Sequence, residues 1–292
     1  MGPGLSAELN SFIRQEGLPK SYMAIVNNYL VPLAGWVASR KQGKPLVIGI
    51  NGAQGSGKST ITAVLAIILK QNFGYNVATL SIDDLYLTRS DRLKLAEAIH
   101  PLFKTRGVPG THDIGLGIET IHKLIAEDGE VSLSRFDKSI DDRLPEKLWP
   151  RCNAPVDVVL FEGWCVATPA QSKDDLLTAT NELEAIEDRE GVWRAYVNQV
   201  LAGSYRQLFS MIDAVVFLKA PGFDSVLQWR SRQEAKTFRT HQEEGMNSQQ
   251  LKRFIQHYER LTRVSLDNLP ELADVVLELD DAQRIVRSEY KS

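Results

Sequence analysis

The stretch Leu46-Val47-Ile48-Gly49-Ile50-Asn51-Gly52-Ala53-Gln54-Gly55-Ser56-Gly57-Lys58-Ser59-Thr60 decides the fold. Leu46 to Ile50 is short and apolar, as suits a strand buried on both faces of a parallel sheet. Gly52–Ser59 then matches G-x-x-x-x-G-K-[ST], and Ile61, Val64, Leu65 and Ile68 repeat along one face of a following helix. Strand, spacing and helix together give this motif its meaning as a phosphate loop. The glycines allow a tight turn whose backbone N–H groups face phosphate oxygens, and the helix N-terminus adds its positive dipole end. The expected nucleotide-binding residues are Gly52, Gln54, Gly55, Ser56, Gly57, Lys58, Ser59 and Thr60. Lys58 is expected at the β- and γ-phosphates and the Ser59 hydroxyl on Mg²⁺, so ATP and Mg²⁺ are the implied cofactors.

Working outward, Val77 to Ile82, Val156 to Phe161, Ala214 to Leu218 and Val275 to Leu279 read as further buried strands. Helical patterns lie between most of them, as in Trp193, Tyr196, Val197, Leu201, Tyr205 and Leu208. Alternating strands and helices predict an α/β fold: a P-loop NTPase three-layer α/β/α sandwich with a mainly parallel central sheet. Ahead of the first strand, Tyr22, Ile25, Val26, Tyr29, Leu30, Leu33, Trp36 and Val37 recur at helical spacing, with Pro32 expected to kink or divide the helix. The expected organisation is a helical extension over 1–44 packed on a P-loop domain over 45–292, with acceptor-binding and lid insertions.

Ligands of such sheets bind at the carboxyl ends of the strands. The second strand runs into Ser81-Ile82-Asp83-Asp84-Leu85-Tyr86. Strand alternation sends Asp83 and Asp84 to opposite sides, so one can face the phosphates while the other caps the next segment. A carboxylate here suits a base that takes the acceptor hydroxyl's proton. The third strand ends in Phe161-Glu162-Gly163-Trp164, where Glu162 suits an acidic or water-mediated Mg²⁺ ligand.

Taken together, Gly52–Ser59, Ser81–Tyr86 and Phe161–Gly163 resemble the phosphoribulokinase, uridine kinase and pantothenate kinase superfamily. Arg106-Gly107-Val108-Pro109-Gly110-Thr111-His112-Asp113, Arg135-Phe136-Asp137-Lys138-Ser139, Phe161–Trp164, the Trp229-Arg230 pair and a late helix with Phe254 and Tyr258 look like the D-glycerate 3-kinase family. The resemblance covers roughly residues 45–280. It implies an ATP-dependent kinase for a hydroxyl of a small metabolite, with D-glycerate first and a nucleoside, sugar phosphate or pantothenate-like alcohol as alternatives. It implies Asp83 as base, Lys58 and Arg230 as further catalytic residues, Ser59 and Glu162 at the metal, and Tyr86, Arg106, His112, Asp113 and Lys138 near the acceptor. One departure is that Ile140-Asp141-Asp142-Arg143 follows where the plant-type pattern has a glycine-rich stretch.

From the residues alone, His112 is a loop hydrogen-bonding group or an acceptor contact. Arg106 is a carboxylate fork or a solvated arginine, and Lys138 is a phosphate-neutralising or a surface lysine. Arg230 and Arg232 are lid candidates, whereas Lys236, Arg239, Arg260 and Arg263 read as an ordinary basic face. His100, His122, His241 and His257 have no metal spacing.

The net charge of -3 over 292 residues gives no electrostatic argument for nucleic acid or an acidic membrane surface. No apolar run reaches the ~18 residues of a membrane span. Neither Cys152 nor Cys165 has metal-ligand spacing, which predicts reduced thiols and a cytoplasmic protein. The GTPase motif [NT]-K-x-D and the transporter signature LSGGQ are both missing, which argues against a nucleotide-driven switch or motor.

Overall fold

The computed structural model describes residues 3–241 and 247–291. Its strands are β1 (Leu46–Gly52), β2 (Val77–Ser81), β3 (Gly129–Ser132), β4 (Phe136–Asp137), β5 (Asp142–Arg143), β6 (Arg151–Ala154), β7 (Val158–Gly163), β8 (Ala214–Lys219), β9 (Val275–Leu279) and β10 (Ile285–Tyr290). The central sheet has six strands in the order β10-β9-β8-β1-β7-β2. All its pairings are parallel except β10 on β9. After β1 the chain moves to β2, returns to β7 beside β1, and then crosses to β8 on the opposite side. The end of β1 is therefore the switch point at which ligands of such sheets sit.

Alternation along the strands sorts the core into layers. Ile48, Ile50, Leu160 and Val216 pack on one side with Val64 and Ile68 of the phosphate-loop helix, Lys58–Phe73. Val47, Val159, Phe161 and Leu80 pack on the other with Ile121, Leu124, Trp193, Val197 and Tyr205. Each leucine or isoleucine fully buried in these layers stabilises the fold by about 1.5–3 kcal/mol.

The first helix, Pro3–Gln15, adds Leu5 and Leu9 to the first of these clusters. A helical run follows over Tyr22–Arg40, and its turn Val26–Leu30 is a π-helix directly before Pro32. Proline lacks an N–H, and its ring would clash with the carbonyl four residues back. The wider turn absorbs both effects, so the helix is divided where Pro32 predicts. Leu30, Leu33 and Val37 from this run are fully buried against the same cluster.

The strands expected from sequence do not include β10 or the small pairs β3–β6 and β4–β5. β10 is mostly exposed after Ile285, with Arg287, Ser288 and Glu289 in place of an apolar alternation. β4 and β5 have two residues each, too few to show a period.

Candidate active site

The phosphate loop is built by backbone shape and braced from the far end of the chain. Gly57 caps the helix Lys58–Phe73 in the left-handed region, at φ 86°, which a side chain would disfavour. A Cβ on Gly55 would lie 2.9 Å from Trp229 Cβ and 3.3 Å from its carbonyl carbon. The helix Phe223–His241 thus lies directly against the loop and brings Arg230 beside it. Trp229 is buried and donates its indole N–H to Asp281 O at 2.9 Å, while Gln283 Nε2 donates to Gly55 O at 2.6 Å. The Arg230 guanidinium lies 5.5 Å from the centroid of the Phe254 ring. Within the loop, the buried Ser56 hydroxyl has no protein partner.

At the start of the helix, Ser59 Oγ donates to Glu162 Oε1 at 2.9 Å. Strand register sets Glu162 between Ile50 and Ser81, at the sheet edge facing the loop. Its other oxygen, Oε2, is buried without a partner. A cavity of about 180 Å³ lies alongside, lined by Ser59, Thr62, Thr79, Ser81, Asp84, Arg135 and Glu162 among others. No group of three or more His, Cys, Asp or Glu suited to a metal occurs among the described residues. Hard oxygen donors and one orphaned carboxylate oxygen fit Mg²⁺, which takes few protein ligands and fills the rest with phosphate and water.

Asp83 and Asp84 diverge, but strand alternation is not the cause: β2 ends at Ser81, and both lie on a 3-10 turn, Ile82–Leu85. Asp83 Oδ1 accepts from the Tyr86 hydroxyl at 2.9 Å, and Oδ2 accepts from Lys138 Nζ at 2.6 Å. Burial alone would push the Asp83 carboxyl up, but the Lys138 and Lys58 ammonium groups together outweigh it and hold it well below the usual carboxylate range. Asp84 turns the other way. It accepts from Phe136 N–H at 3.1 Å and Arg135 at 2.8 Å, and its carbonyl accepts from Ser134 at 2.7 Å. Asp84 thereby ties the end of β2 to the β4–β5 hairpin that delivers Lys138. Burial raises its carboxyl more than Phe136 N–H and Arg135 lower it.

The loop Arg106–Asp113 closes the other wall. Thr111, fully buried, holds it together: its hydroxyl accepts from Gly107 N–H at 3.0 Å and donates to Val108 O at 2.7 Å. Leu87 N–H donates to Thr111 O and Asp113 N–H to Leu85 O, which joins this loop to the segment carrying Asp83. The ring of Tyr86 stacks on His112, with centroids 4.6 Å apart and planes 22° apart. His112 is buried, and burial, opposed by the pull of Asp83, brings its pKa down to about 3. Its Nδ1 meets the Tyr205 hydroxyl at 2.5 Å.

Two expected acceptor contacts are committed elsewhere. Asp113 caps the helix Ile114–Ala126 by accepting from Leu116 N–H at 3.1 Å, and it pairs with Arg143 at 3.2 Å. Arg106 pairs with Asp141 and faces the Phe136 ring at 5.5 Å. Asp141 also takes Arg92, whose side chain is 1% exposed, at 2.9 Å. Arg106 thus lines the site's wall through the hairpin rather than standing open to solvent.

Of the remaining arginines, Arg232 is exposed and donates to Asp281 O at 3.5 Å. Arg260 departs from a basic surface: it is buried on Glu184, with bonds of 2.7 and 2.6 Å. Arg263 pairs with Glu259 at 2.7 Å. His100 accepts from Leu102 N–H, His257 is buried edge-on to Trp193, and His122 is exposed. The side chains of Lys236, Arg239 and His241 lie outside the described residues.

Sequence reasoning passed over Tyr205, Arg143, Asp141 and Thr111 as parts of the site. Arg143 donates to Tyr86 O at 2.8 Å as well as to Asp113, fixing the tyrosine that touches Asp83. Tyr205 was visible only as one apolar position in a helical stripe.

No protein-family model matches the chain. Among curated proteins, it is 34% identical over 231 residues to an uncharacterised kinase of Schizosaccharomyces pombe, covering 75% of this chain and 80% of that one. It is 30% identical over 223 residues to the chloroplastic D-glycerate 3-kinase of Arabidopsis thaliana, covering 73% of this chain and 46% of that longer protein. Among solved structures, a D-glycerate 3-kinase from Cryptococcus neoformans superposes with a TM-score of 0.74 at 28% identity, over 90% of this chain and 99% of that one. With the phosphate loop, the Ser59–Glu162 pair and Asp83 at the second strand end, these relationships make the chain a small-molecule phosphotransferase with an alcohol acceptor, and it belongs to the D-glycerate 3-kinase family of P-loop kinases.

Proposed function

We propose that the acceptor is D-glycerate and that Asp83 orients and deprotonates its hydroxyl for in-line attack on the γ-phosphate of ATP. The observation that carries this reading is Asp83 itself. It lies at the end of β2, under the influence of Lys58 from the phosphate loop and bonded to Lys138 from the hairpin. A carboxylate held between two cations stays ionised, as a proton acceptor must, and the same cations favour an acceptor that is itself an anion. Lys138 is exposed and bonded to Asp83, and its proposed contribution is to exchange that carboxylate for the acceptor's. Lys58 and Arg230 spread charge on the transferring phosphoryl group, and the loop N–H groups hold the remaining phosphates.

Ser59 and the orphaned oxygen of Glu162 are the proposed holders of Mg²⁺. When bound, the ion neutralises charge on the β- and γ-phosphate oxygens. Residues 1–44 serve as a packing extension of the kinase domain. The proposed compartment is the cytoplasm, in keeping with the free thiols of Cys152 and Cys165.

The deciding experiment follows ADP release from Mg-ATP with D-glycerate, L-glycerate, uridine, ribulose 5-phosphate and pantothenate in separate reactions. D-glycerate alone is expected to stimulate release. Stimulation by a different alcohol would keep the kinase and discard glycerate.

A further inference from the structure

The two ring nitrogens of His112 have different surroundings. Nδ1 meets the Tyr205 hydroxyl at 2.5 Å, while that same phenol oxygen accepts Gly110 N–H at 3.0 Å. A phenol has a single hydrogen to donate. Tyr205 is 1% exposed, and a buried phenol keeps a partner for its O–H. Among the described contacts, His112 Nδ1 is the acceptor in reach. The O–H therefore goes to Nδ1, which then carries no proton. A neutral imidazole with a bare Nδ1 bears its hydrogen on Nε2. Burial keeps the ring neutral through the physiological range, with its pKa near 3.

Nε2 is buried and has no partner in the protein. An N–H in that position is a desolvated donor awaiting an acceptor. The ring is stacked on Tyr86, whose hydroxyl bonds to Asp83, so the donor belongs to the wall of the acceptor site.

We propose that Tyr205 and Gly110 lock His112 in its Nε2–H tautomer, so that the ring offers an uncharged hydrogen-bond donor to an oxygen of the acceptor molecule. His112 is the group that touches substrate, and Tyr205 is a positioning residue acting through it. The matching ligand chemistry is a carboxylate or hydroxyl oxygen; an ammonium or amide N–H in that place meets donor against donor. This rests on the placement of the acceptor beside Asp83 proposed above.

The tautomer is read first, without any substrate, from ¹⁵N–¹H correlation spectra of the histidine rings in the full chain, with the His112 signal assigned by its loss in His112→Gln. The expected pattern has a protonated Nε2 and a bare Nδ1. A protonated Nδ1 or a doubly protonated ring overturns the proposal. Kinetics then read its use. Tyr205→Phe frees Nδ1 and is expected to mix the tautomers; with the competent form at about half, KM for the acceptor rises about two-fold, with KM for ATP unchanged. His112→Gln, whose amide nitrogen falls where Nε2 was, is expected to keep acceptor KM within about three-fold of wild type. His112→Asn, whose shorter side chain reaches only the Nδ1 position, is expected to lose about ten- to a hundred-fold. An unchanged acceptor KM in both Tyr205→Phe and His112→Asn overturns the proposal, whether or not the tautomer is as stated. If wild-type protein turns over an alcohol other than glycerate, the glycerate reading falls. The same variants are then measured on that alcohol, where a raised KM supports the donor role of His112 and an unchanged KM overturns it.

Discussion

The phosphate side and the acceptor side of this site are made in opposite ways. The phosphate side is one continuous segment, Gly52–Thr60, whose function is carried by backbone N–H groups, two short side chains and one lysine. The acceptor side is assembled from pieces far apart in the chain: Asp83 and Tyr86, the loop around Thr111 and His112, the hairpin with Lys138 and Arg143, and Tyr205. Most of the polar side chains named there are already bonded to side chains or backbone, with His112 Nε2 the exception. One half is a generic cradle for nucleotide phosphates. The other is a network of pairs that the proposed acceptor would enter and partly displace, and it is where chemistry and selectivity are expected to separate.

Asp83→Asn sharpens that contrast most. Removing the proposed base leaves the phosphate loop intact, so kcat is expected to fall by about 10²–10⁴-fold with KM for ATP nearly unchanged. Steady-state kinetics with each substrate varied in turn would check it, and a large rise in KM for ATP would break the division between the halves.

Lys138→Met comes next. Lys138 and Lys58 hold the Asp83 carboxyl below its ordinary range. The acid limb of kcat/KM, where the proposed base would gain its proton, is therefore expected below the usual carboxylate range in the native enzyme. Without Lys138 the burial of Asp83 is less opposed and its pKa moves up, so that limb is expected to shift to higher pH. The stability contribution has the same sign. A depressed Asp pKa stabilises above the unfolded value of about 3.9 and loses that stabilisation as pH falls toward the folded value, a window the variant narrows. KM for an anionic acceptor is expected to rise about ten-fold, as for loss of one charged hydrogen bond. A pH profile identical to wild type would mean that Lys138 leaves Asp83 in solution.

Glu162→Gln tests the metal edge of the phosphate side. The side chain keeps its size but loses the charge on the buried, partnerless oxygen. A Mg²⁺ titration of activity is expected to shift to about ten-fold higher concentration, as for loss of one ligand's charge. No shift would remove Glu162 from the proposed metal site.

The same contrast explains what could be read in advance. Gly52–Ser59 is legible because its meaning is local: strand, glycine spacing and helix sit side by side in the chain. The five parallel strands of the central sheet are legible because each is a compact apolar run. His112 is different. Its properties come from a phenol 93 residues away and from a stacked ring on another segment. Tyr205 sits in a helical stripe where core packing and a site role leave the same trace. Arg143 and Asp141 lie in a hairpin whose strands have two residues each. No periodicity marks them, and their pairing with Tyr86, Arg92 and Arg106 exists only after folding.

Asp113 is where that difference between local and assembled meaning can be measured most finely. It shares the His112 loop, and family resemblance puts it near the acceptor. In the structure it caps the helix Ile114–Ala126 and pairs with Arg143. Asp113→Ala removes the cap and is expected to cost about 1 kcal/mol. For a chain of this size that lowers Tm by about 1.5–2 °C, measurable by calorimetry. KM for the acceptor should change less than about two-fold, because Arg143 still donates to Tyr86 O and keeps that residue in place. The stability loss reports a cap whatever the kinetics show. A ten-fold rise in acceptor KM alongside that loss would mean that the carboxylate leaves its cap to hold the substrate. Asp113 would then join Lys138 as a pair broken on binding, and the acceptor wall would be more mobile than its hydrogen bonds imply.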